Sequence, residues 1–314
     1  MLINHKTSKL MNSQFYFAVV SKNISILRED GTELLDGDYF CPLCKKAFVQ
    51  KEVKSHLTQE DVPQASLGGR RITLTCRNCN SRCGSGIDIY LLNAIKAKEQ
   101  KAFLSGTDRQ VVLTDGEKKI KANLTVGNGR DMNLQVKIAH VNPKFWEYFR
   151  DNILLLDAII DIKDLPLKRD LRRISAAILK NAYLILFAQT GYTFLFDSYY
   201  DRLREQIINP APFFLPERLW TMQEIPLSDG IYLTTDNRYR GFFVVYSLRL
   251  HRAYKVCVLI PTPKVEYLAA CMELRKITSQ NPISVKCLPQ LDYLQDKGAI
   301  LRLKDWCYGW QVDL

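Results

Sequence analysis

Two cysteine pairs constrain this chain more than any other feature of its sequence. Cys41 and Cys44 form one CxxC pair, Cys76 and Cys79 form a second, and thirty-one residues separate the two pairs. Sulfurs that lie two residues apart can approach a single ion, and two such pairs complete the tetrahedron of thiolates that Zn²⁺ prefers. The spacing therefore predicts a structural zinc site that holds together the two ends of the segment between the pairs.

The charge of the chain points to a polyanionic partner. The 314 residues are 47% hydrophobic and 25% charged, which predicts a globular protein of two or three domains. The formal net charge is +11, and residues 41–130 hold sixteen Lys or Arg against eight Asp or Glu. A local excess of this kind favours binding to nucleic acid.

The expected location is the cytoplasm. The N-terminus has no long apolar segment, so we expect no signal peptide. CxxC pairs in a reducing compartment indicate a metal site rather than disulfides. The most apolar stretch, residues 174–188, is too short and too polar to span a bilayer, so we expect no membrane association.

The hydrophobic pattern predicts five regions and an α+β fold. Short apolar runs at 15–20 and 24–28 predict strands before the first cysteine pair. Between the pairs, the order is strand, Gly-Gly loop and strand, and a helix follows from about Asn80 to Lys98. The expected domains are N-terminal strands over 1–37, the zinc region over 38–100, a small antiparallel sheet over 101–142, a helical region over 143–210 with a helix near 197–208, and a strand-rich C-terminal domain over 211–314 with strands near 241–246, 254–259 and 300–303.

The segment between the cysteine pairs carries oxygen ligands and one histidine. Glu60 and Asp61 are adjacent carboxylates on the first strand, and Asn80 directly follows the last zinc cysteine. A zinc that joins the pairs would bring Asn80 towards this strand. Carboxylate and amide oxygens suit Mg²⁺ or Mn²⁺, and an ion held by Glu60 and Asn80 could bind a scissile phosphate. His56 is the nearest histidine that could activate water.

These residues resemble a known family of nucleases. The string CxxC, then Leu57-Thr58-x-Glu60-Asp61-Val62-Pro63, then Leu67-Gly68-Gly69, then Leu74-Thr75-Cys76-x-x-Cys79-Asn80, then Gly84 and Asp88, resembles the HNH (His-Me finger) endonucleases. More narrowly, it resembles the branch whose ββα-metal motif lies between two zinc knuckles. The resemblance covers about residues 38–95, and it implies a zinc-stapled, treble-clef-like ββα nuclease domain ahead of the small β region, the helical segment and the C-terminal domain.

The resemblance also implies roles for individual residues. Cys41, Cys44, Cys76 and Cys79 would bind structural zinc, and Glu60 and Asn80 would bind the catalytic Mg²⁺ or Mn²⁺. Asp61 stands where the family places its histidine general base, and a carboxylate is a weaker base than imidazole at neutral pH. Three outcomes are therefore open: Asp61 is the base, His56 is the base, or the site binds nucleic acid without cutting it.

Several other polar residues receive simpler interpretations. About 12 Å of helix separates Asp88 from Asn80, so we expect Asp88 to be a cap or anchor rather than a ligand of the same ion. We expect Cys83 to be a packed thiol and His140 and His251 to be structural. We expect Trp146, Trp220, Trp306 and Trp310 to lie in the core, and Arg169, Arg172 and Arg173 to form a solvated helix face.

Basic side chains crowd the zinc region and suit contacts with phosphates. The residues expected to bind nucleic acid are Lys54, Arg70, Arg71, Arg77 and Arg82, with Lys45, Lys46 and Lys51 nearby. Aromatic residues are sparse between 41 and 89, which favours duplex DNA over a stacked single strand.

The sequence thus predicts a metal-dependent endonuclease of HNH type that hydrolyses phosphodiester bonds in DNA, by analogy in the restriction of foreign or phage DNA. The alternative is a catalytically degenerate zinc module that binds nucleic acid or a partner protein within a defence or repair complex. A third reading is a subunit that becomes active only with a partner. Self-association is left open.

Overall fold

The structure is a computed structural model, and it describes residues 13–32, 37–114, 117–136, 141–152, 159–161, 170–211, 219–223, 225–234, 240–263, 265–274 and 283–309. Helices and strands are mixed, as expected of an α+β protein. The described helices are α1 (Ser13–Glu29), α2 (Val53–His56), α3 (Arg77–Cys83), α4 (Ile89–Lys101), α5 (Pro143–Asn152), α6 (Leu171–Thr190), α7 (Asp201–Ile208), α8 (Tyr267–Leu274) and α9 (Lys297–Cys307).

The described strands form four antiparallel sheets. The strands are β1 (Tyr39–Phe40), β2 (Ala47–Phe48), β3 (Leu57–Val62), β4 (Arg70–Cys76), β5 (Asp108–Thr114), β6 (Lys119–Val126), β7 (Met132–Val136), β8 (Ile159–Asp161), β9 (Trp220–Thr221), β10 (Gly230–Thr234), β11 (Gly241–Arg249), β12 (Ala253–Pro261) and β13 (Lys286–Cys287). β1 pairs with β2 and β3 pairs with β4, while the larger sheets have the orders β13-β10-β11-β12-β9 and β7-β6-β5-β8.

The chain divides into two compact units. Unit 1 contains residues 1–91, 170–249 and 253–314, and unit 2 contains residues 92–169 and 250–252. Unit 2 holds the sheet of β5 to β8, and its apolar face packs with Phe149 of α5 over a core that includes Val111, Leu124 and Ile120. Unit 1 holds the zinc region, the five-stranded sheet and α6.

Helix α6 is the central element of unit 1. It begins at Leu171 after the N-cap residue Asp170, whose side chain accepts hydrogen bonds from the backbone N–H groups of Arg172 and Arg173. Most of its residues from Ile174 onward are buried, because α6 contacts both the β11–β12 sheet and the β3–β4 hairpin. A helix that is covered on nearly all sides forces any polar residue in it to find a buried partner.

Aromatic residues connect the first cysteine pair to α6 and the chain that follows it. The Tyr192 hydroxyl donates to the carbonyl of Phe40 (2.6 Å) and lies 2.9 Å from the Phe40 N–H, while the Tyr183 hydroxyl donates to the carbonyl of Pro42 (3.0 Å). Tyr39 is fully buried, and its hydroxyl donates to the carbonyl of Leu74 on β4. These bonds fix the backbone that carries Cys41.

Two glycines shape the β3–β4 hairpin. Gly68 has φ +81°, in the left-handed region that favours glycine. At Gly69, an added Cβ would lie 1.3 Å from the carbonyl oxygen of Pro63, so only glycine fits there. The Leu67-Gly68-Gly69 turn therefore exists because the two strands approach too closely for a side chain.

The expected strands before the first cysteine pair are wrong. Residues 13–29 form α1, in which Tyr16, Val20, Asn23 and Leu27 recur at helical spacing and are buried. A six-residue apolar run rich in aromatic and β-branched side chains is compatible with either element, and the helical period appears only over the longer window. The expected strand near 300–303 is also wrong, because these residues lie in α9.

Other expectations about the elements are confirmed. The strands near 241–246 and 254–259 lie in β11 and β12, and the small antiparallel sheet contains β5, β6 and β7. The helix expected from Asn80 begins earlier, at Arg77, and the helix expected near 197–208 begins at Asp201 after a 3₁₀ turn. His140, Arg169 and Trp310, for which the sequence analysis gives expectations, lie outside the described residues.

Among the described helices, none combines the length and apolar character that a bilayer span requires.

Candidate functional site

The four cysteines of the two CxxC pairs lie together. The Sγ atoms of Cys41, Cys44, Cys76 and Cys79 are all within 4.8 Å of one another, and those of Cys44 and Cys76 are 3.8 Å apart. Zn–S bonds of about 2.3 Å in a tetrahedron place neighbouring sulfurs about 3.8 Å apart. The donor set thus fits Zn²⁺, and four protein ligands would leave no open position, as expected of a structural ion.

Local structure aims these sulfurs at one point. Cys41 and Cys44 lie in the tight connection between β1 and β2, which is closed by hydrogen bonds from the Cys41 N–H to Lys46 O and from the Lys45 N–H to Cys41 O. Cys76 ends β4 and caps α3, where its sulfur accepts a hydrogen bond from the Cys79 N–H.

The backbone also stabilises negative charge on the sulfurs. The Cys76 N–H donates to the Cys41 sulfur, and both N–H···S contacts measure 3.4 Å. The hydrogen bond with Cys41 lowers the pKa of the Cys44 thiol to about 7, whereas burial raises the pKa of Cys41. Thiolates are the form that binds a metal.

Glu60 is buried in an ion network that the sequence did not predict. Its Oε1 atom lies 2.9 Å from Nζ of Lys180 on α6, and its Oε2 atom accepts a hydrogen bond from the Thr75 hydroxyl at 2.9 Å. The Lys180 ammonium also lies 2.6 Å from Oδ2 of Asp88. Lys180, Glu60 and Asp88 are 0%, 4% and 5% exposed, so this lysine–carboxylate triad is sealed from solvent.

The triad is electrostatically coupled. Burial disfavours the Lys180 ammonium, but Asp88 and Glu60 outweigh that effect and raise the pKa of Lys180 above its ordinary value. Burial raises the pKa of Asp88, and the nearby Lys180 only partly opposes this. At neutral pH Lys180 is therefore firmly protonated and supplies the positive charge between the two carboxylates.

This geometry bears on the expected ligand role of Glu60. Both of its carboxylate oxygens already have buried partners, and the cation beside it is an ammonium group of the protein itself. Ligation of Mg²⁺ or Mn²⁺ by Glu60 would place a divalent cation beside the buried Lys180 ammonium, and repulsion between the two cations disfavours this. Asp88 is an anchor, in line with the expectation, although its partner is a buried lysine.

The remaining expected site residues are more accessible. Asp61 is half-buried beside Glu60, at a β-bulge that shifts the register between β3 and β4. Asn80 is half-buried in α3. His56 is exposed at the end of α2, and its Nδ1 lies 2.8 Å from the Ser55 hydroxyl. The structure thus separates the buried Glu60 from the accessible Asp61, Asn80 and His56.

The basic side chains expected to bind nucleic acid are all exposed: Lys54, Arg70, Arg71, Arg77 and Arg82. Arg77 donates to the carbonyl of Lys54 (3.0 Å) and Arg71 to the amide oxygen of Gln59 (3.3 Å). No acidic side chain in the described part of the chain lies within ion-pair distance of any of the five, so their charges face solvent without neutralisation.

Other candidate groups have structural roles. His251 Nδ1 lies 2.8 Å from the buried carboxylate of Glu99, which supports the structural interpretation of this histidine. Arg173 forms an ion pair with Asp170 and donates to the carbonyl of Gly86, so it is more than a solvated helix residue. Cys83 is buried, as expected of a packed thiol, and burial raises its pKa to about 12. Trp306 is buried in the core.

Lys180 is the residue that the sequence analysis missed. A signal was present, because a lone lysine inside the apolar stretch 174–188 needs a buried counter-charge. The sequence does not say which of the chain's 33 acidic residues supplies that charge.

The cysteine cluster is the one group of three or more His, Cys, Asp or Glu residues in the described ranges whose ligand atoms converge on a possible metal position. A scan against protein-family models, a search of curated proteins and a search of solved structures find no match to this chain.

Proposed function

We propose that the zinc region binds nucleic acid through its phosphate backbone, with duplex DNA as the favoured partner. The supporting observation is the set of five exposed and unneutralised basic side chains on a frame held by the cysteine cluster. Residues 41–91 contain eight Lys or Arg and four Asp or Glu, and two of those acids, Glu60 and Asp88, are buried against Lys180 and do not reach the surface. The surface of residues 41–91 is therefore more basic than the count of charged residues in this segment indicates.

The form of the binding follows from the side chains available. Phe48 is the one aromatic residue between 41 and 89, and it is buried. Base stacking on an exposed ring is thus not available within this segment. Arginine and lysine contacts with the backbone fix the position of a duplex without reading its sequence.

The test is the fluorescence anisotropy of a labelled 20-base-pair duplex titrated with the full chain at several salt concentrations. We expect the double variant Arg70→Glu/Arg82→Glu to weaken binding at least tenfold, because each reversal removes a phosphate contact and adds repulsion. Lys286→Glu/Arg302→Glu, which reverses two exposed basic side chains on β13 and α9, is the matched control and should change the affinity less than twofold. Equal losses in the two proteins would contradict the proposal.

A second candidate is metal-dependent hydrolysis of the HNH type. It is favoured by the element order β3, β4, α3, in which the hairpin lies between the two cysteine pairs and α3 contains Cys79, and by the accessible His56, Asp61 and Asn80 on or next to that hairpin. In this version Asp61 and Asn80 supply oxygen ligands for Mg²⁺ or Mn²⁺ and His56 activates water. Glu60 does not bind the ion in this version; its buried contact with Lys180 holds strand β3, which carries Asp61, against α6. The assignment rests on the resemblance and on which side chains solvent reaches.

Cleavage is tested on supercoiled plasmid with Mg²⁺ or Mn²⁺. We expect His56→Ala and Asn80→Ala to reduce nicking by about a hundredfold or more while DNA binding is retained. Asp61→Ala should also reduce nicking if Asp61 binds the metal ion or acts as the base, and it should nick at the parent rate if Asp61 has neither role. Cutting at the parent rate by both His56→Ala and Asn80→Ala would exclude this chemistry, and binding without nicking in every protein would leave the binding module as the function.

A further inference from the structure

Unit 2 contains a cavity of about 630 Å³ beside the middle strand of its sheet. This volume falls within the range of small-molecule sites in proteins. The cavity is lined by residues of β5, β6 and β7 and by the start of α5, so secondary structure rather than a loop forms much of its wall. None of the described residues that line it is acidic.

Three carboxamide side chains form a row along this wall. Gln110 on β5 is the cross-strand partner of Asn123 on β6, and Asn123 is in turn the partner of Gln135 on β7. Cross-strand neighbours have Cβ atoms about 5 Å apart. Within the described part of the chain, the side chains of these three residues form no hydrogen bond, so their donors and acceptors are available to a ligand.

Two lysines and an aromatic ring complete the lining. Lys121 precedes Asn123 by two residues on β6, and Lys119 precedes Lys121 by two, so the three side chains project from the same face of the strand. Both lysines are exposed, and neither forms an ion pair with a described residue. Phe145 of α5 also lines the cavity and is 37% exposed.

These groups match the parts of one class of ligand. Asn and Gln side chains offer a donor and an acceptor side by side, which pair with the edge of an adenine base. An exposed aromatic ring can stack on a base, and lysine binds phosphate as a point charge. A ligand with a planar polar base and an anionic phosphate would use all three.

We propose that the cavity of unit 2 binds an adenine nucleotide, with the base on the Gln110–Asn123–Gln135 row and Phe145, and the phosphate on Lys119 and Lys121. The nucleotide is either free or a unit of a single strand, since both present the same groups. This site is separate from the zinc region, and its existence does not depend on the function proposed there.

The experiment is isothermal titration of the full chain with AMP, with adenosine and with the single-stranded hexamer of deoxyadenylate. We expect AMP to bind saturably at submillimolar concentration and adenosine to bind about tenfold more weakly, because it lacks the phosphate. Asn123→Ala should weaken AMP binding about tenfold, as expected for a lost pair of hydrogen bonds. Lys121→Ala should bring the affinity for AMP close to that for adenosine.

Matched controls separate the site from general effects on the sheet. Asn133→Ala changes an exposed asparagine on β7 that does not line the cavity, and Lys96→Ala changes an exposed lysine on α4. Both should bind AMP within twofold of the parent. Circular dichroism of each variant confirms that it folds.

The outcomes also distinguish the two sources of the nucleotide. Hexamer binding more than tenfold tighter than AMP binding, with both lost in Asn123→Ala, identifies a single strand as the ligand, whereas equal affinities identify a free nucleotide. The proposal is overturned if neither AMP nor the hexamer binds saturably up to millimolar concentration. It is also overturned if Asn123→Ala and Asn133→Ala lose affinity equally, or if Lys121→Ala binds AMP like the parent.

Discussion

The buried Lys180 determines the structural roles of two carboxylates, Glu60 and Asp88. Taking an ammonium group and two carboxylates out of water costs several kcal/mol for each ion, so the triad survives only because its members are paired at 2.6 and 2.9 Å. The Thr75 hydroxyl satisfies the remaining Glu60 oxygen. The carboxylate that the resemblance assigns to a catalytic ion thus belongs to the interior of unit 1.

Replacement of Lys180 by methionine should strongly destabilise the protein. The variant keeps the shape of the side chain but leaves two carboxyls buried without a cation, and we expect a loss of about 3–5 kcal/mol in the free energy of unfolding. Denaturant unfolding measures it. Lys297→Met, which removes the surface ion pair with Glu29, is the control and should cost under about 1 kcal/mol.

The same variant should acquire a distinctive pH dependence. Burial already raises the pKa of Asp88 in the parent, and the loss of Lys180 removes the positive charge that partly opposes this rise. A carboxyl whose pKa is raised by folding adds stability at low pH, and this stability is lost as pH rises through that pKa. When the pH is lowered from 8 to 5, the free energy of unfolding of Lys180→Met should therefore increase more than that of the parent. A variant with the parent's pH profile would show that the triad is not electrostatically important.

At the scale of elements, the zinc region depends on a hairpin that is closed at both ends. The cysteine cluster holds the ends of β3 and β4 near α2 and α3, and the Gly68-Gly69 turn closes the other end. Between them, Glu60 and Asp61 are adjacent on β3 and point to opposite faces, so one carboxylate enters the interior while the next remains accessible. The hairpin therefore sorts two adjacent acids into different environments.

Gly69→Ala tests the closed end of this hairpin. An added Cβ would overlap the Pro63 carbonyl oxygen at 1.3 Å, so the backbone must move and we expect a loss of about 1–3 kcal/mol, measured by thermal unfolding. Gly84→Ala provides the comparison, because its Cβ would meet no atom within 4 Å and alanine is favoured in helical backbone. It should leave the stability unchanged or raise it. Equal effects of the two substitutions would contradict the close approach.

For the molecule as a whole, the cysteine cluster is connected to the core of unit 1. The backbone of the first cysteine pair is hydrogen-bonded to Tyr183 on α6 and to Tyr192. Disorder in this pair should therefore spread to α6 and to the triad that Lys180 forms. Unit 2 has its own core around Val111 and Phe149.

Removal of zinc by a strong chelator should loosen unit 1 and spare the sheet of unit 2. Zinc binding to four cysteines adds to the free energy of folding, so its loss exposes the segments that it joins. Hydrogen exchange followed by mass spectrometry should show faster exchange over 39–83 and in α6, with little change in β5 and β6. Cys44→Ser should reproduce the pattern without chelator. Unchanged exchange in the zinc region would exclude a structural ion there.

The sequence predicted the parts of the fold whose signals are local. The alternation of β5 and β6 and the apolar runs of β11 and β12 were sufficient to identify strands, and the Gly-Gly turn identified the hairpin. The apolar run at 15–20 was not sufficient, since six residues cannot separate a short strand from one face of α1. The error in α9 has the same cause, because residues 300–303 resemble a strand when they are considered without their neighbours.

The cysteine cluster was predicted by the sequence alone, because the two-residue spacing within each pair lets four sulfurs approach one position that is compatible with Zn²⁺. The tertiary structure decided which carboxylate faces solvent. Lys180 lies 120 residues from Glu60 and 92 from Asp88. No local pattern records that meeting, since it arises only when α6 packs against the hairpin and buries all three charges together. The sequence therefore determined where a metal ion could bind. The packing of α6 decided that Glu60 and Asp88 are paired with Lys180.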